Sequence, residues 1–317
     1  AADRLLRGDD RVTGILLDSG AELHASRGVV LSSGGFTRSD DLLAVFAPQW
    51  LPTTRMGGDH NTGDGLRMAW ELGAGLADMS RIEASFGASV PAFPLLVDPE
   101  GGEPTLLFAT TQGAVVVNRH GERFVDEGAD FRNYTYAKYG RVILEQPAQF
   151  AWQVLDAKVA HMKRDEYSIR QVTRVQADSI EELADKLEGV NSGQFLQTIR
   201  NYNAAVSSEV PFNPNVKDGR RTTGLTIDKT NWANTIDTPP FEAYAVTCGL
   251  TFTFGGLRTD NNSQVVDTNF DPIPGLYAAG ECVGGLFYFN YPGGSGLTTG
   301  AVFGRIAGDA AGASIQA

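Results

Sequence analysis

Residues 275–308 read "GLYAAGECVGGLFYFNYPGGSGLTTGAVFGRIAG". The apolar strand "GLYAA" runs into Gly280 and Glu281, and "GGSGLTTG" then opens a helix expected from about Gly296 to Ala311. In an open α/β sheet, ligands bind beyond the carboxyl ends of the strands. A carboxylate there can accept hydrogen bonds from sugar-type hydroxyls, and glycine lets the backbone come close. A helix start adds unpaired N–H groups and the positive end of a dipole, which suit an anion or a phosphate. A Gly-rich turn between strand and helix would have the same composition. The segment is not a P-loop, because no Gly-Lys-Ser/Thr follows. It is not the G-x-G-x-x-G fingerprint either, since Thr299 stands where the third glycine belongs, and that fingerprint occurs nowhere in the chain.

Working outward, "GVVLSSGGF" (residues 28–36) is a short apolar strand ending in Gly34-Gly35, the form in which a buried strand delivers its chain to a crevice. In "NTGDGLRMAWELGAGLADM" (residues 61–79), Asp64 is placed to cap a helix carrying Leu66, Met68, Ala69 and Leu72 and stopping at Gly73. In "SIEELADKLEGV" (residues 179–190), Ser179 and Glu182 form a capping box and Gly189 ends the helix. "SGQFLQTIRNYNAAV" is a second helix, and "EVPFNPNVKDGRR" is a loop. Strands and glycines return after residue 240. The expected fold is therefore α/β: residues 1–79 and 241–317 form two parts of one domain, interrupted by an α+β insertion at 80–240.

The 317 residues are 42% hydrophobic and 20% charged, the composition of a globular protein. No apolar run approaches the ~18 residues of a membrane span. A net charge of −12 argues against a nucleic-acid partner, which needs clustered Lys and Arg. Two cysteines, Cys248 and Cys282, are too few for a disulfide framework, and a reducing cytoplasm is the expected location. His24, His60, His120 and His161 show no metal-ligand spacing, so no metal is expected.

Residues 275–308 resemble the C-terminal FAD motif of the flavoproteins related to fumarate reductase and succinate dehydrogenase. "VVLSSGGF", "NTGDGLRMAWELGA", "VNRHGERFVDE", "SIEELADKL" and "TFTFGGLRTD" resemble further motifs of that family, in the family's order. "GGLFYFNYPGGSGL" is most similar to tricarballylate dehydrogenase-like proteins. The resemblance implies FAD as cofactor. It places the ribityl-binding carboxylate on Glu281, beside Gly280, and the flavin-facing backbone on Gly296 and Leu297. Asp64 and Phe252 fall on further FAD contacts, and Ser33, Gly34 and Gly35 on the crevice strand. It also implies a partial Rossmann-like FAD-binding domain, lacking its first βαβ unit and interrupted by a capping domain. The family's G-x-G-x-x-G belongs to that first unit, so the chain is expected to be the C-terminal part of a longer flavoprotein.

The resemblance further implies a proton-donor arginine at Arg132. Arginine is a poor acid, so the role requires a dry site and a proton relay; a salt-bridged arginine in the polar segment 126–133 is the alternative. The family's carboxylate-clamping positions fall on Ser85, on the neighbourhood of Ala109 and Gln112, on Thr251 and on Tyr291, all of them neutral. Each charged hydrogen bond lost costs about 1.5–3 kcal/mol, which argues against fumarate as substrate. Tyr291-Pro292-Gly293 resembles the Tyr-Pro-Gly stretch of the 3-ketosteroid dehydrogenases. There a Tyr hydroxyl and a nearby backbone N–H, here assigned to Gly294, polarise a ketone. Tyr134, Tyr136 and Tyr288 could supply a base or line an apolar pocket, while Phe287 and Phe289 read as core, and Cys282 and Cys248 as buried fillers. The expected function is FAD-dependent oxidation or reduction of a CH–CH bond beside a carbonyl or carboxyl group. It requires a small-molecule substrate and an electron donor or acceptor. Ketosteroid-type dehydrogenation and a non-catalytic fragment without flavin are the alternatives.

Overall fold

Short strands separated by Gly- and Asp-containing turns open the chain: β1 (Ala2–Gly8), β2 (Arg11–Leu17), which carries the β-branched Val12, Thr13 and Ile15, and β3 (Glu22–His24), an antiparallel ribbon in that order. The computed structural model describes residues 1–56, 58–80, 82–88, 112–163, 165–168 and 172–314. The chain separates into two compact units, one of residues 1–83 and 250–317, the other of residues 84–249.

In the first unit, the ribbon leads to β4 (Val29–Leu31) and α1 (Asp40–Phe46). The Ser39 hydroxyl accepts from the Leu42 N–H at 3.3 Å and two aspartates fill the first turn, so both capping and the dipole favour a helix here. After β5 (Thr54–Arg55) comes α2 (Asp64–Glu71). Asp64 does not cap α2. The N-cap is Gly63, at φ 80, and Asp64 is the first helical residue, accepting from the Thr62 hydroxyl at 3.0 Å. Only glycine adopts that left-handed geometry without strain, and a carboxylate one residue later still meets the positive end of the dipole. β6 (Leu76–Ala77) closes this segment.

The second unit begins within β7 (Ile82–Ala88). Its sheet contains β8 (Val115–Asn118), β9 (Phe150–Leu155), β10 (Arg174–Ala177) and the long β11 (Phe241–Thr253), in the order β10-β11-β9-β8. All three pairings are antiparallel, and the unit boundary falls within β11. Between β8 and β9 lies α3 (Arg132–Leu144); between β10 and β11 lie α4 (Ile180–Lys186) and α5 (Ser192–Ala205). Ser179 accepts from the Glu182 N–H at 3.1 Å, and the Glu182 carboxylate accepts from the Asp178 N–H at 3.0 Å, one residue earlier than the usual capping box. Leu183 of α4, its C-cap Leu187, and Phe195, Ile199 and Tyr202 of α5 form one buried cluster with Val115, Val117, Trp152 and Val154 of the sheet.

The chain then returns to the first unit. β12 (Gly256–Leu257) pairs with β6, and β13 (Gln264–Val266) pairs antiparallel with β14 (Pro272–Ala278). β14 pairs parallel with β4, giving the order β13-β14-β4. A single turn of 3-10 helix (Gly280–Cys282) and the long α6 (Ser295–Ala313) complete the unit. No helix among the described residues is long and apolar enough to cross a membrane.

A buried ionic cluster braces the second unit. Arg123 and Glu127 pair at 2.6 Å, and Glu127 also accepts from the Val116 N–H at 2.8 Å. Lys229 is fully buried and donates to the Ala114 carbonyl at 2.6 Å. Burial lowers its pKa to about 8, against the opposing pull of Glu127. Below pH 8 the amine is charged in both folded and unfolded chains. Between pH 8 and 10 the unfolded chain binds more protons, so the folded state gains stability as pH rises. Wild type should therefore gain on the order of 2 kcal/mol over Lys229→Met across pH 8–10 in urea unfolding. Parallel pH curves for the two proteins would refute this.

Candidate active site

Because β4 and β14 run parallel, with Val29, Val30 and Leu31 opposite Leu276, Tyr277 and Ala278, their carboxyl ends leave the sheet at the same edge. The loop after β4 therefore meets the turn after β14, and Glu281 stands at that meeting. Its Oε1 accepts from the Asn61 amide at 2.9 Å, the Thr253 N–H at 2.9 Å and the Thr253 hydroxyl at 3.3 Å. Burial raises the Glu281 pKa above its ordinary value, while the donors from Thr253, Asn61 and the Gly35 N–H oppose the shift. Gly35 has no room for a side chain: a Cβ would overlap Thr253 Oγ1 and stand 2.5 Å from Glu281 Oε1. Cys282 is wholly buried, donates to the Leu31 and Ala279 carbonyls, and is pushed up to about 11 by burial, so it is an inert filler.

Beside Glu281 opens a cleft of about 510 Å³. Gly280, Gly296 and Gly300 give it a wall without side chains, and Phe252, Phe254 and Phe287 an aromatic one. Gly280 is at φ +82, and a Cβ there would meet no heavy atom within 4 Å. Gly296, Leu297, Thr299 and Gly300, at the start of α6, line the cleft. Gly294, the N-cap, is at φ 86, and the Gly296 N–H donates to the Tyr291 hydroxyl oxygen at 2.9 Å. Tyr291 is 7% exposed, and its ring packs edge-on against Phe252 at 4.9 Å and Phe287 at 5.0 Å. A helix start leaves its first N–H groups without carbonyl partners, and Tyr291 supplies an oxygen to one of them.

Phe252, Gly280, Glu281, Tyr291, Gly296 and Leu297 thus line one cleft, with Gly35 against Glu281 behind it. Gly34 lies over Asn61. Ser33 and Asp64 do not line the cleft; both are exposed, and the Ser33 hydroxyl lies where a side chain at Gly65 of α2 would be. Thr251 is half-buried on β11, and Gly294 is exposed. Leu297 is 85% exposed. Phe287 is half-buried in the cleft wall, but Phe289, expected in the core, is 57% exposed and meets exposed Tyr288 at 4.4 Å.

Arg132 and Gln112 belong to the second unit. Arg132 opens α3, half-buried, and the Gln112 amide donates to the Pro214 carbonyl at 3.2 Å. Tyr134 is exposed and Tyr136 buried on the same helix. Ser85 lies on β7, whose side chains are outside the described residues, as is Ala109. The sequence reading missed Asn61 and Thr253. Asn61 reads as a turn residue ahead of α2, and Thr253 as one more position in a strand.

A family profile described as FAD binding domain matches residues 1–297. The chain is 31% identical to a probable fumarate reductase of Shewanella frigidimarina over 92% of its own length and 45% of the relative's. It is also 31% identical to 4-oxocyclohexanecarboxylate 2-dehydrogenase of Sinomonas cyclohexanicum, over 95% of its own length and 55% of that enzyme's. Among solved structures, 3-ketosteroid delta1-dehydrogenase from Sterolibacterium denitrificans superposes with a TM-score of 0.74 at 28% identity, covering 99% of this chain and 59% of that one. The chain spans about half the length of these relatives.

The contact at Gly35 is testable without any ligand. Gly35→Ala should lower stability by about 1–3 kcal/mol in chemical denaturation, the usual cost of forcing extra volume into a packed site. A neutral substitution would mean that Thr253 and Glu281 move aside freely.

Proposed function

This chain belongs to the FAD binding domain family, and from that premise we propose that the protein containing it is an FAD-dependent oxidoreductase acting on a CH–CH bond beside a carbonyl or carboxyl group. FAD is its cofactor. The observation that carries the proposal is the buried Glu281 carboxylate at the carboxyl end of β14. It adjoins a glycine wall, the N-terminus of α6 and the neutral hydroxyl of Tyr291.

These residues fit FAD. A Cβ at Gly280 would project into open space beside Glu281, so the backbone can approach a flat or hydroxylated group closely. Glu281 would accept from the ribityl hydroxyls. The first turn of α6, including Leu297, would set its positive dipole end against the edge that gains negative charge. Bound FAD supplies the hydride-accepting or hydride-donating centre.

The chain's own groups do the rest. The Tyr291 hydroxyl, accepting from the Gly296 N–H, would donate its proton toward a carbonyl oxygen and so acidify the adjacent C–H. The proton-donor role that the resemblance assigns to Arg132 would require its guanidinium to release a proton and regain it through a relay, since a guanidinium already holds every proton it can bind. The neutral residues Thr251 and Tyr291 cannot balance two or three full carboxylate charges. That favours a ketone or a singly bound carboxylate over fumarate or a tricarboxylate. The alignments with enzymes along more than nine-tenths of the chain favour an enzyme over a flavin-free fragment.

Tyr291→Phe in the complete protein should lower kcat by roughly 10²–10³ on the true substrate, with FAD content retained. The complete protein should also turn over a carbonyl-activated substrate faster than succinate or fumarate. A kinetically silent Tyr291→Phe, or fumarate as the best substrate tested, would sink this reading. We further infer from the absent G-x-G-x-x-G that the FAD diphosphate is held by a segment outside residues 1–317. Residues 1–317 alone should then bind FAD weakly, and stoichiometric tight binding in equilibrium dialysis would show the inference to be wrong.

A further inference from the structure

We propose that Asn61 is a positioning residue for Glu281: with Thr253 it holds the buried carboxylate ionised and turned for cofactor binding, using neutral donors in place of a cation. This rests on the reading that Glu281 meets FAD.

The geometry of Asn61 is committed on every side. One amide hydrogen goes to the Thr37 hydroxyl at 3.1 Å and the other to Glu281 Oε1 at 2.9 Å. Its backbone carbonyl accepts from the Arg38 N–H at 2.9 Å. Its side-chain oxygen lies over Gly34, where a Cβ would stand 2.5 Å away. Asn61 is therefore fixed by the loop after β4 before it reaches Glu281. Thr253 approaches from the end of β11 with both its N–H and its hydroxyl, and all three donors converge on Oε1.

The groups against Glu281 are the Asn61 amide, Thr253, the Gly35 N–H and the Cys282 thiol, none of them charged. The charged groups on the flanking loops are Arg38 and Asp59, paired with each other at 2.9 Å, and Asp64; the titratable His60 beside them is exposed. Among the described residues, no cationic group offsets the burial of the carboxylate. Its ionisation depends on the donated hydrogens, each of which favours the charged form. A carboxylate also binds hydroxyl groups more strongly than a protonated acid does. FAD affinity should accordingly fall as pH drops through the Glu281 pKa, and Asn61 should set where that fall occurs.

The test is the FAD dissociation constant of the complete, deflavinated protein, measured by flavin fluorescence from pH 5 to 9. Asn61→Ala should move the fall in affinity upward by about one pH unit. Thr253→Val, which keeps the N–H and the side-chain shape, should move it in the same direction by less. Glu281→Gln should abolish the pH step. The proposal is overturned if both the Asn61 and Thr253 profiles superimpose on wild type, or if both are weakened equally at every pH. Should Asn61→Ala not fold, as judged by near-UV circular dichroism, Thr253→Val decides alone. If Glu281→Gln keeps the wild-type step, the role of Glu281 at FAD falls and this inference with it. If Glu281→Gln flattens the step while the other two variants leave it in place, only the inference falls.

Discussion

The parallel pairing of β4 with β14 is the constraint on which the cleft depends. An antiparallel pairing would send the two carboxyl ends to opposite edges of the sheet. Parallel pairing sends Gly34-Gly35 and Gly280-Glu281 to one edge, although β4 and β14 lie at opposite ends of the sequence. The register then brings Gly35 so close to Thr253 and Glu281 that only a glycine fits. Thr253 reaches the same point because β11 ends there. Four separated stretches of chain thus converge on one carboxylate.

That carboxylate is costly to bury, and the protein meets the cost with hydrogen bonds. A lysine or arginine would have neutralised Glu281 and left a strong ion pair beside the cleft. Amide and hydroxyl donors stabilise the charge without competing for it, and leave the carboxylate as the only charged side chain among the described residues that line the cleft. The same economy marks the aromatic wall of the cleft, where Tyr291 is bonded to the start of α6 and ringed by phenylalanines. A cleft of this character polarises one oxygen well and tolerates several charges poorly.

How much of this was legible in the sequence depends on the range of the forces involved. The strands ending in glycine, the Ser179 cap and the opening of α6 are local features, decided by neighbours within a turn. α3 escaped notice because "RNYTYAKYGRVIL" has no capping side chain, carries a glycine and three tyrosines, and shows no clean apolar stripe. Its helix is set by tertiary burial of Tyr136, Tyr139 and Ile143. Glu281 was visible as a carboxylate after a strand. Its partners were not, since Asn61 and Thr253 become relevant only once the sheet is closed. The hydroxyl of Tyr291 was expected to polarise a substrate ketone; the bond it accepts from the Gly296 N–H was not foreseen, because the demand of α6 for an acceptor at its first turn was the missing consideration.

The discontinuity of the first unit has a consequence for how the protein is made. Residues 84–249 form a continuous unit and can fold as soon as they emerge from the ribosome. β4 must wait for β14, which is translated nearly 250 residues later, a delay of roughly 10–50 s at ordinary elongation rates. During that interval an apolar strand edge is unpaired and the residues that will surround Glu281 are scattered along the nascent chain. Closing so long a loop is intrinsically slow. Nascent chains of this protein should therefore depend on chaperones chiefly between synthesis of the first strands and arrival of the last.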